Sequence, residues 1–244
     1  MQKEVVIIGD GPSIRHYDLS SINSEVEIIC CGNQIFHKNF KYISNNKLHY
    51  IVVEPRLLWP SFILRKKRNH VKSIKPIVDK MIAKFKEFNG VNYYLHWSNI
   101  PFIFSSSNLH FVSNKQSPFT IKLDSISGSF RACVSLASFL GYNKIHLLGF
   151  DSFVLHESPS NRWYERNATT FKNYTKKVVQ SIIDYYSHIE FNVISEKKLV
   201  LTSNQLLKSD LKIRYNKNRN NLNDIMDQKD IELFNLSNEY NMDV

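Results

Sequence analysis

The residues with the clearest chemical potential follow the first apolar run of the sequence. Val5 to Ile8 leads directly into Gly9-Asp10-Gly11-Pro12-Ser13. Two glycines there would let the backbone turn tightly and approach a ligand closely, and we expect free backbone N–H groups to bind phosphate or ribose oxygens. Asp10 could accept from a ribose hydroxyl, and Ser13 could donate to a phosphate or cap the next turn. An ordinary β-turn built on Gly-Pro is the alternative.

Further polar residues follow other apolar runs. Asn33 comes after the second run, in Cys-Gly-Asn-Gln, and Glu54 comes after the third. Ligands of α/β folds bind where sheet strands end, so Asn33 could read a base or a sugar hydroxyl, whereas a simple Gly-Asn turn is the alternative. Glu54 either faces the ligand or pairs with Arg56.

A Ser-Gly segment precedes a strongly apolar helical pattern near the middle of the chain. Ser127 or Ser129 is predicted to cap that helix, whose N-terminus, beginning beside Gly128, would attract an anion. The helix is expected to end at Gly141, followed by a strand and by Gly149-Phe150-Asp151. Two other phosphate-site motifs are absent, since the sequence has no GxGxxG and no GxxxxGK[ST]. It also has no Asp-x-Asp, whose carboxylates would hold a divalent metal.

Short apolar runs alternate with helical patterns, which predicts an α/β fold, a Rossmann-like parallel sheet flanked by helices. The predicted strands are Val5–Ile8, Val26–Cys31, Tyr50–Val53, Asn92–Leu95, Lys144–Leu148 and Phe191–Ile194. The predicted helices are Val71–Phe88, Phe130–Leu140 and Tyr174–Tyr186.

The composition changes near the C-terminus. We predict one catalytic domain over residues 1–218 and a polar, acidic tail over 219–244. The tail is either a frayed terminus or an amphipathic helix that docks on a partner subunit, as in a homo-oligomer. The second interpretation rests on its apolar residues Leu222, Ile225, Met226, Leu233 and Phe234.

Composition and charge restrict the setting. The 244 residues carry a formal charge of +10, which suits an acidic substrate, an anionic membrane or nucleic acid. Three cysteines, two of them adjacent, imply no disulfide framework, and we expect a cytoplasmic protein without a secretory signal or membrane span. The basic cluster Arg65–Arg68, preceded by interleaved apolar residues, suits peripheral contact with the inner membrane or a lipid-linked acceptor. No nucleic-acid recognition motif occurs.

The combined order of these motifs resembles bacterial lipooligosaccharide sialyltransferases of glycosyltransferase family 42. The resemblance covers roughly residues 3–155 and rests on Gly-Asp-Gly-Pro-Ser, Cys-Gly-Asn-Gln and the Ser-Gly to Gly-x-Asp unit. It implies a GT-A-variant, sialyltransferase-like fold in one domain with a lid near 152–172. It also implies an inverting, metal-independent transferase without a cofactor, which moves a sialic-acid-like sugar from a CMP-sugar donor to a cell-surface glycan or glycolipid acceptor. The nucleotide would contact Gly9, Asp10, Gly11, Ser13, Asn33, Glu54, Ser127, Gly128 and Asp151.

The sequence departs from the family pattern at several of these positions. The family carries Asn at the positions of Asp10 and Glu54, and Tyr at the position of Phe153. Because a carboxylate would repel a phosphate, we expect Asp10 and Glu54 to contact hydroxyls or amines.

The catalytic residues are the least determined part of this interpretation. The lid histidine that acts as the general base in the family has no counterpart in Asn161–Asn167. His156 and Glu165 are therefore both candidate general bases. Arg162 and Arg166 could stabilise a departing phosphate or hold a donor carboxylate, and Tyr164 could donate to the phosphate. The missing histidine leaves two alternatives open: a different nucleotide-dependent transferase, using another sugar nucleotide or acting like a pyrophosphokinase, and a non-catalytic nucleotide-binding protein.

Overall fold

The structure is a computed structural model that describes residues 3–55, 57–58, 68–102, 108–150, 163, 176–196 and 206–239. The strands are β1 (Glu4–Ile8), β2 (Glu27–Cys31), β3 (Leu48–Val52), β4 (Asn92–His96), β5 (Leu109–Ser113), β6 (Ile121–Lys122), β7 (Lys144–Leu148), β8 (Glu190–Val193) and β9 (Leu206–Lys208). The α-helices are α1 (Phe40–Ile43), α2 (Arg68–Glu87), α3 (Ser129–Phe139), α4 (Lys176–Tyr185), α5 (Leu222–Ile225) and α6 (Gln228–Glu239).

The nine strands of the described ranges form one parallel sheet in the order β6-β5-β4-β3-β2-β1-β7-β8-β9. This confirms the predicted α/β fold. The six predicted strands are present, five of them with small shifts at their ends, whereas β5, β6 and β9 were not predicted. The latter two have two and three residues, and short edge strands of this kind exist through pairing with a neighbour rather than through a pattern of their own.

The strand order changes direction next to β1. From β1 to β6 each strand is added on the same side of its predecessor, and the chain then returns to place β7 on the other side of β1. In open parallel sheets, ligands bind at such a reversal, outside the carboxyl ends of the two strands. The connections that leave β1 and β7 therefore bound the expected binding crevice.

Each face of the sheet is covered by its own apolar layer, because alternate residues of a strand point to opposite faces. Val6 and Ile8 of β1 pack with α2 and the C-terminal helices. Val5 and Ile7 pack on the other face with α3 and α4. Cys30 and Cys31 divide between the two layers in the same way, and they are buried free thiols, as is Cys133.

The C-terminal segment is helical, as one of the two expectations had it, but its apolar face packs within the chain rather than on a partner. Its apolar side chains are buried in the chain's own core, on the same face as α2: Leu222, Ile225, Met226, Ile231 and Phe234. The ring of Phe234 lies 5.2 Å from that of Phe36, and an ion pair joins Lys80 of α2 to the buried Asp230 of α6. The apolar positions that suggested docking on a partner subunit are thus used within the chain itself.

Candidate functional site

The connections after β1 and β7 are hydrogen-bonded to each other. The backbone N–H of Gly9 donates to the carbonyl of Leu148 over 2.8 Å, and that of Gly11 donates to the carbonyl of Gly149 over 2.7 Å. We expected free N–H groups in this loop, and at these two glycines the expectation is wrong because the neighbouring loop already uses them. Gly9 and Gly11 therefore fix the loop rather than offer these donors to a ligand.

The glycines at this junction are required by close packing. A Cβ atom on Gly9 would lie 2.7 Å from the carbonyl oxygen of Gly149, and one on Gly149 would lie 2.5 Å from the carbonyl oxygen of Gly9. Gly149 also has a φ of +74°, in the left-handed region that favours glycine. Both loops thus need glycine to approach each other at the switch point of the sheet, where the strand order reverses next to β1.

The carboxylate of Asp10 joins three parts of the chain. It accepts from the backbone N–H of Asn33 over 3.1 and 3.2 Å, from Nε2 of Gln34 over 3.1 Å and from Nε1 of Trp163 over 3.2 Å. Nε2 of Gln34 also donates to the carbonyl of Gly9 over 2.6 Å. We expected Asp10 to contact a ligand hydroxyl or amine, and the structure instead gives the carboxylate protein donors. Asp10 therefore shapes the site by holding the start of the β2 connection against the β1 connection.

Asn33 is held at this edge with its side chain unengaged. Its backbone N–H is bound by Asp10, and it lies at the start of the short 3-10 helix Gln34–Phe36 without capping that helix through its side chain. The half-buried carboxamide makes no hydrogen bond within the described ranges. A carboxamide carries both donors and acceptors, so this group can recognise a base or a sugar. The exposed Glu54 lies at the same edge, after β3.

The N-terminus of α3 carries no capping side chain. The N-cap residue is Gly128, with φ 82° and ψ 147°, and Ser127 before it is exposed. The prediction that Ser127 or Ser129 caps the helix is therefore wrong, because the turn requires a positive φ at this position. The aromatic ring of Phe130 lies 5.1 Å from that of Phe150, which in turn packs against Gly9. The uncapped helix start thus adjoins the junction of the β1 and β7 connections.

Trp163 is a contact that sequence reasoning missed. It is fully buried, its backbone N–H donates to the carbonyl of Asp10 over 2.9 Å, and its ring lies 5.1 Å from that of His37. Burial lowers the pKa of His37 to about 4, so its imidazole is neutral at pH 7. The available sequence signal was a tryptophan among polar and charged neighbours, which is typical of an apolar side chain that packs on the domain. Because this stretch was predicted to be a lid, the signal was not used.

The remaining predicted residues fall into two groups. Ser13 lies within the 3-10 helix Pro12–His16, directly after the loop Gly9–Gly11, which we call the glycine loop. The others lie outside the described residues, and so does Phe153: Asp151, His156, Arg162, Tyr164, Glu165 and Arg166. Of the predicted lid, 152–172, the structure describes Trp163 alone.

A cavity of about 360 Å³ lies between α3 and α4, next to the segment that leads into α3. Its wall includes Asp124 and Ser125 from that segment, Arg131 from α3 and Tyr185 and Tyr186 from the end of α4. The volume is at the lower end of small-molecule sites. A cation, a carboxylate and aromatic rings around one space are chemically suited to a polar molecule such as a sugar.

Two features are absent from the described ranges. No group of three or more His, Cys, Asp or Glu side chains there is arranged to hold a metal ion. No helix in this part of the chain combines the length and apolar character needed to cross a membrane.

Comparison with known proteins gives similarity at the level of structure. No family model matches the sequence, and no curated protein matches it. The structure is similar to the sialyltransferase CstII from Campylobacter jejuni in complex with the substrate analogue CMP-3FNeuAc, with 14% identity, a TM-score of 0.45 and coverage of 96% of this chain and 100% of the other. It is also similar to the monofunctional alpha-2,3-sialyltransferase Cst-I from the same organism, with 16% identity, a TM-score of 0.44 and coverage of 99% and 94%.

Proposed function

We propose that the chain is a glycosyltransferase that takes its sugar from a nucleotide donor bound at the switch point of the sheet. More particularly, we propose that it moves a sialic-acid-like sugar from a CMP-sugar to a cell-surface glycan or glycolipid. The observation that carries this proposal is the unengaged carboxamide of Asn33, whose backbone is fixed by Asp10 in the connection after β1. The uncapped start of α3 adjoins the same connection through the contact of Phe130 with Phe150, which packs against Gly9. The order of the sequence motifs at this edge supports the choice of CMP as the nucleotide.

The proposal assigns different tasks to these groups. The carboxamide of Asn33 binds the nucleoside, and the N-terminus of α3, beside Ser127 and Gly128, binds the phosphate because helix starts attract anions. Asp10 acts indirectly, since its carboxylate already accepts from Gln34 and Trp163.

The proposed reaction is an inverting displacement. The acceptor hydroxyl attacks the anomeric carbon, the bond from that carbon to the phosphate oxygen breaks, and a general base takes the hydroxyl proton. His156 and Glu165 are the proposed bases, while Arg162, Arg166 and Tyr164 would stabilise the departing CMP. Because CMP leaves as a monophosphate, less charge must be neutralised than for a diphosphate, and the proposed reaction uses no metal.

The donor class is tested by thermal shift with CMP, CDP, UDP, GDP and ATP, each with and without EDTA. We expect CMP to raise the melting temperature, with no effect of EDTA. If only a nucleoside diphosphate raises the melting temperature, and only when Mg²⁺ is present, the result indicates the alternative, a different nucleotide-dependent transferase.

The site is tested by Asn33→Ala. We expect an about tenfold loss of CMP affinity, the size of a hydrogen bond or two to a polar ligand. The control is Asn45→Ala, an exposed asparagine in the turn before β3, at the opposite edge of the sheet. Equal CMP affinity in both variants would contradict the assignment of Asn33.

If CMP binds, sugar transfer by His156→Ala and Glu165→Ala then shows whether either residue is the base. If binding is intact but transfer is lost in neither variant, both assignments are wrong.

A further inference from the structure

The side chain of Arg15 is buried and has no hydrogen-bond or ion-pair partner among the described residues. It belongs to the 3-10 helix Pro12–His16, which continues directly from the glycine loop, and its relative exposure is 8%. Its Nε atom is buried and makes no hydrogen bond. A buried charge is normally paired, because removing it from water is unfavourable unless a counter-charge or several hydrogen bonds replace the solvent.

A second arginine lies beside it. The segment 215–221 is fastened to the 3-10 helix: Asn220 N–H donates to the carbonyl of Arg15 over 3.0 Å, and Asn216 N–H donates to that of His16 over 2.7 Å. The ring of Tyr215 stacks on that of His16 at 5.6 Å. This attachment brings the exposed Arg219 close to Arg15, and burial together with the charge of Arg219 lowers the pKa of Arg15 to about 10.

No carboxylate among the described residues forms an ion pair with either arginine. The nearest acidic residue along the chain, Asp18, is engaged by Arg214 at 3.0 Å. The attachment of the segment 215–221 to the 3-10 helix therefore brings two arginines together, and no carboxylate of the described residues balances their charges. An anionic ligand would supply the missing partner for both.

We propose that Arg15 and Arg219 together bind a phosphate group. A guanidinium offers planar, paired N–H donors that match the oxygens of phosphate, and two such groups balance the two charges of a phosphate dianion. This site does not depend on the function proposed above. Its ligand is either inorganic phosphate, or a phosphate group of another molecule, or the phosphate of the nucleotide. The last is compatible with the chain, because the 3-10 helix that carries Arg15 follows directly on the glycine loop of the proposed nucleotide site.

The test measures binding of inorganic phosphate in a phosphate-free, sulfate-free buffer by calorimetry and by thermal shift. The wild-type protein is expected to bind phosphate and to melt several degrees higher in its presence. Arg15→Gln and Arg219→Gln should each lower the phosphate affinity about tenfold or more, the size of a charge-assisted hydrogen bond. Lys217→Gln, which removes the same charge from an exposed residue of the same segment, should bind phosphate like the wild type.

Two further variants separate binding from folding. Arg15→Lys keeps the charge but loses the paired donors, so it should show an affinity between those of the wild type and Arg15→Gln. Arg219 is exposed, so Arg219→Gln tests the site even if a substitution at Arg15 reduces folding. The proposal is overturned if the wild type does not bind phosphate, or if Arg219→Gln binds it as tightly as Lys217→Gln does.

Cytidine and CMP identify the source of the phosphate. If Arg219→Gln loses affinity for CMP but not for cytidine, the arginines hold the nucleotide's own phosphate, and they replace the N-terminus of α3 in the assignment made above. If both affinities are unchanged while that for inorganic phosphate falls, the site holds a separate phosphate. If neither cytidine nor CMP binds the wild type but phosphate still binds through the arginines, the proposed function fails and the phosphate site stands.

Discussion

At the scale of single residues, the carboxylate of Asp10 is the group on which the geometry of the candidate site depends. It accepts N–H donors from Asn33 and Gln34 after β2 and from Trp163. Hydrogen bonds to a charged acceptor are stronger than neutral ones, and here a single side chain holds segments that are far apart in sequence. Losing it should affect both the stability of the fold and the position of Asn33.

Asp10→Ala is expected to lower the free energy of unfolding by about 2–3 kcal/mol, the size of losing charge-assisted hydrogen bonds whose donors remain partly buried. Urea unfolding followed by tryptophan fluorescence measures it, and the emission of Trp163 should also shift. The matched control is Glu25→Ala, which removes an exposed carboxylate whose side chain makes no hydrogen bond within the described ranges. Equal unfolding midpoints for the two variants would contradict the structural role of Asp10.

At the scale of elements, the parallel strands bring together connections that are distant in sequence. β1 pairs with β7 along its whole length, from Glu4 opposite Lys144 to Ile8 opposite Leu148. The loops that follow both strands therefore begin at the same level. Their mutual hydrogen bonds and the absence of side chains at Gly9 and Gly149 complete the junction.

Three glycine-to-alanine substitutions should separate backbone strain from steric conflict. Gly90 has nothing within 4 Å of an added Cβ, so Gly90→Ala should be close to neutral. Gly141 is equally open but has a φ of +80°, and Gly141→Ala should lower stability by about 1 kcal/mol, the cost of a left-handed backbone for alanine. Gly149→Ala combines a φ of +74° with the conflict at Gly9 and should lower stability most, by about 2 kcal/mol or more.

Thermal or urea unfolding of the three variants gives the order directly. A Gly149→Ala protein as stable as Gly141→Ala would mean that the two loops can separate at little cost. In that case the junction would not be the rigid base that the proposed nucleotide site needs.

At the scale of the whole molecule, the C-terminal helices complete one of the two apolar layers. α6 packs on α2, and the side chains of Ile231 and Phe234 are almost fully buried beside the sheet. Of its acidic residues whose burial is described, Asp224, Asp227 and Glu232 are exposed, whereas Asp230 is buried and pairs with Lys80. Stability of the fold should therefore depend on residues near the end of the chain.

Ile231→Ala is expected to lower the free energy of unfolding by about 2–5 kcal/mol, as for other fully buried aliphatic side chains. The comparison variant is Leu207→Ala, which shortens an apolar side chain that is 48% exposed in β9 and should change stability far less. A frayed terminus would predict no effect at Ile231, so unchanged unfolding of Ile231→Ala would restore that interpretation.

Much of the fold was predictable because it rests on local patterns. The run Val5–Ile8 is apolar at every position, as expected for a strand covered on both faces, and Lys144–Leu148 was predicted with its final bounds. The short strands β6 and β9 were not predictable, since they depend on a neighbour for their hydrogen bonds. The tail was misread because its many polar residues obscure an apolar face whose partner, α2, lies far away in sequence.

The sequence by itself determined which residue types stand after each strand: the glycine loop, Asn33 and the Ser-Gly start of α3. Side-chain chemistry and hydrophobic periodicity are properties of neighbouring residues, so they can be read without a fold. The tertiary structure alone decided what each group contacts. Because β1 pairs with β7, the N–H groups of Gly9 and Gly11 donate to carbonyl groups of Leu148 and Gly149. The carboxylate of Asp10 accepts from Asn33 and Trp163, and Arg219 lies near Arg15. These contacts join residues more than 20 positions apart, and sequence order carries no information about them until the sheet is assembled.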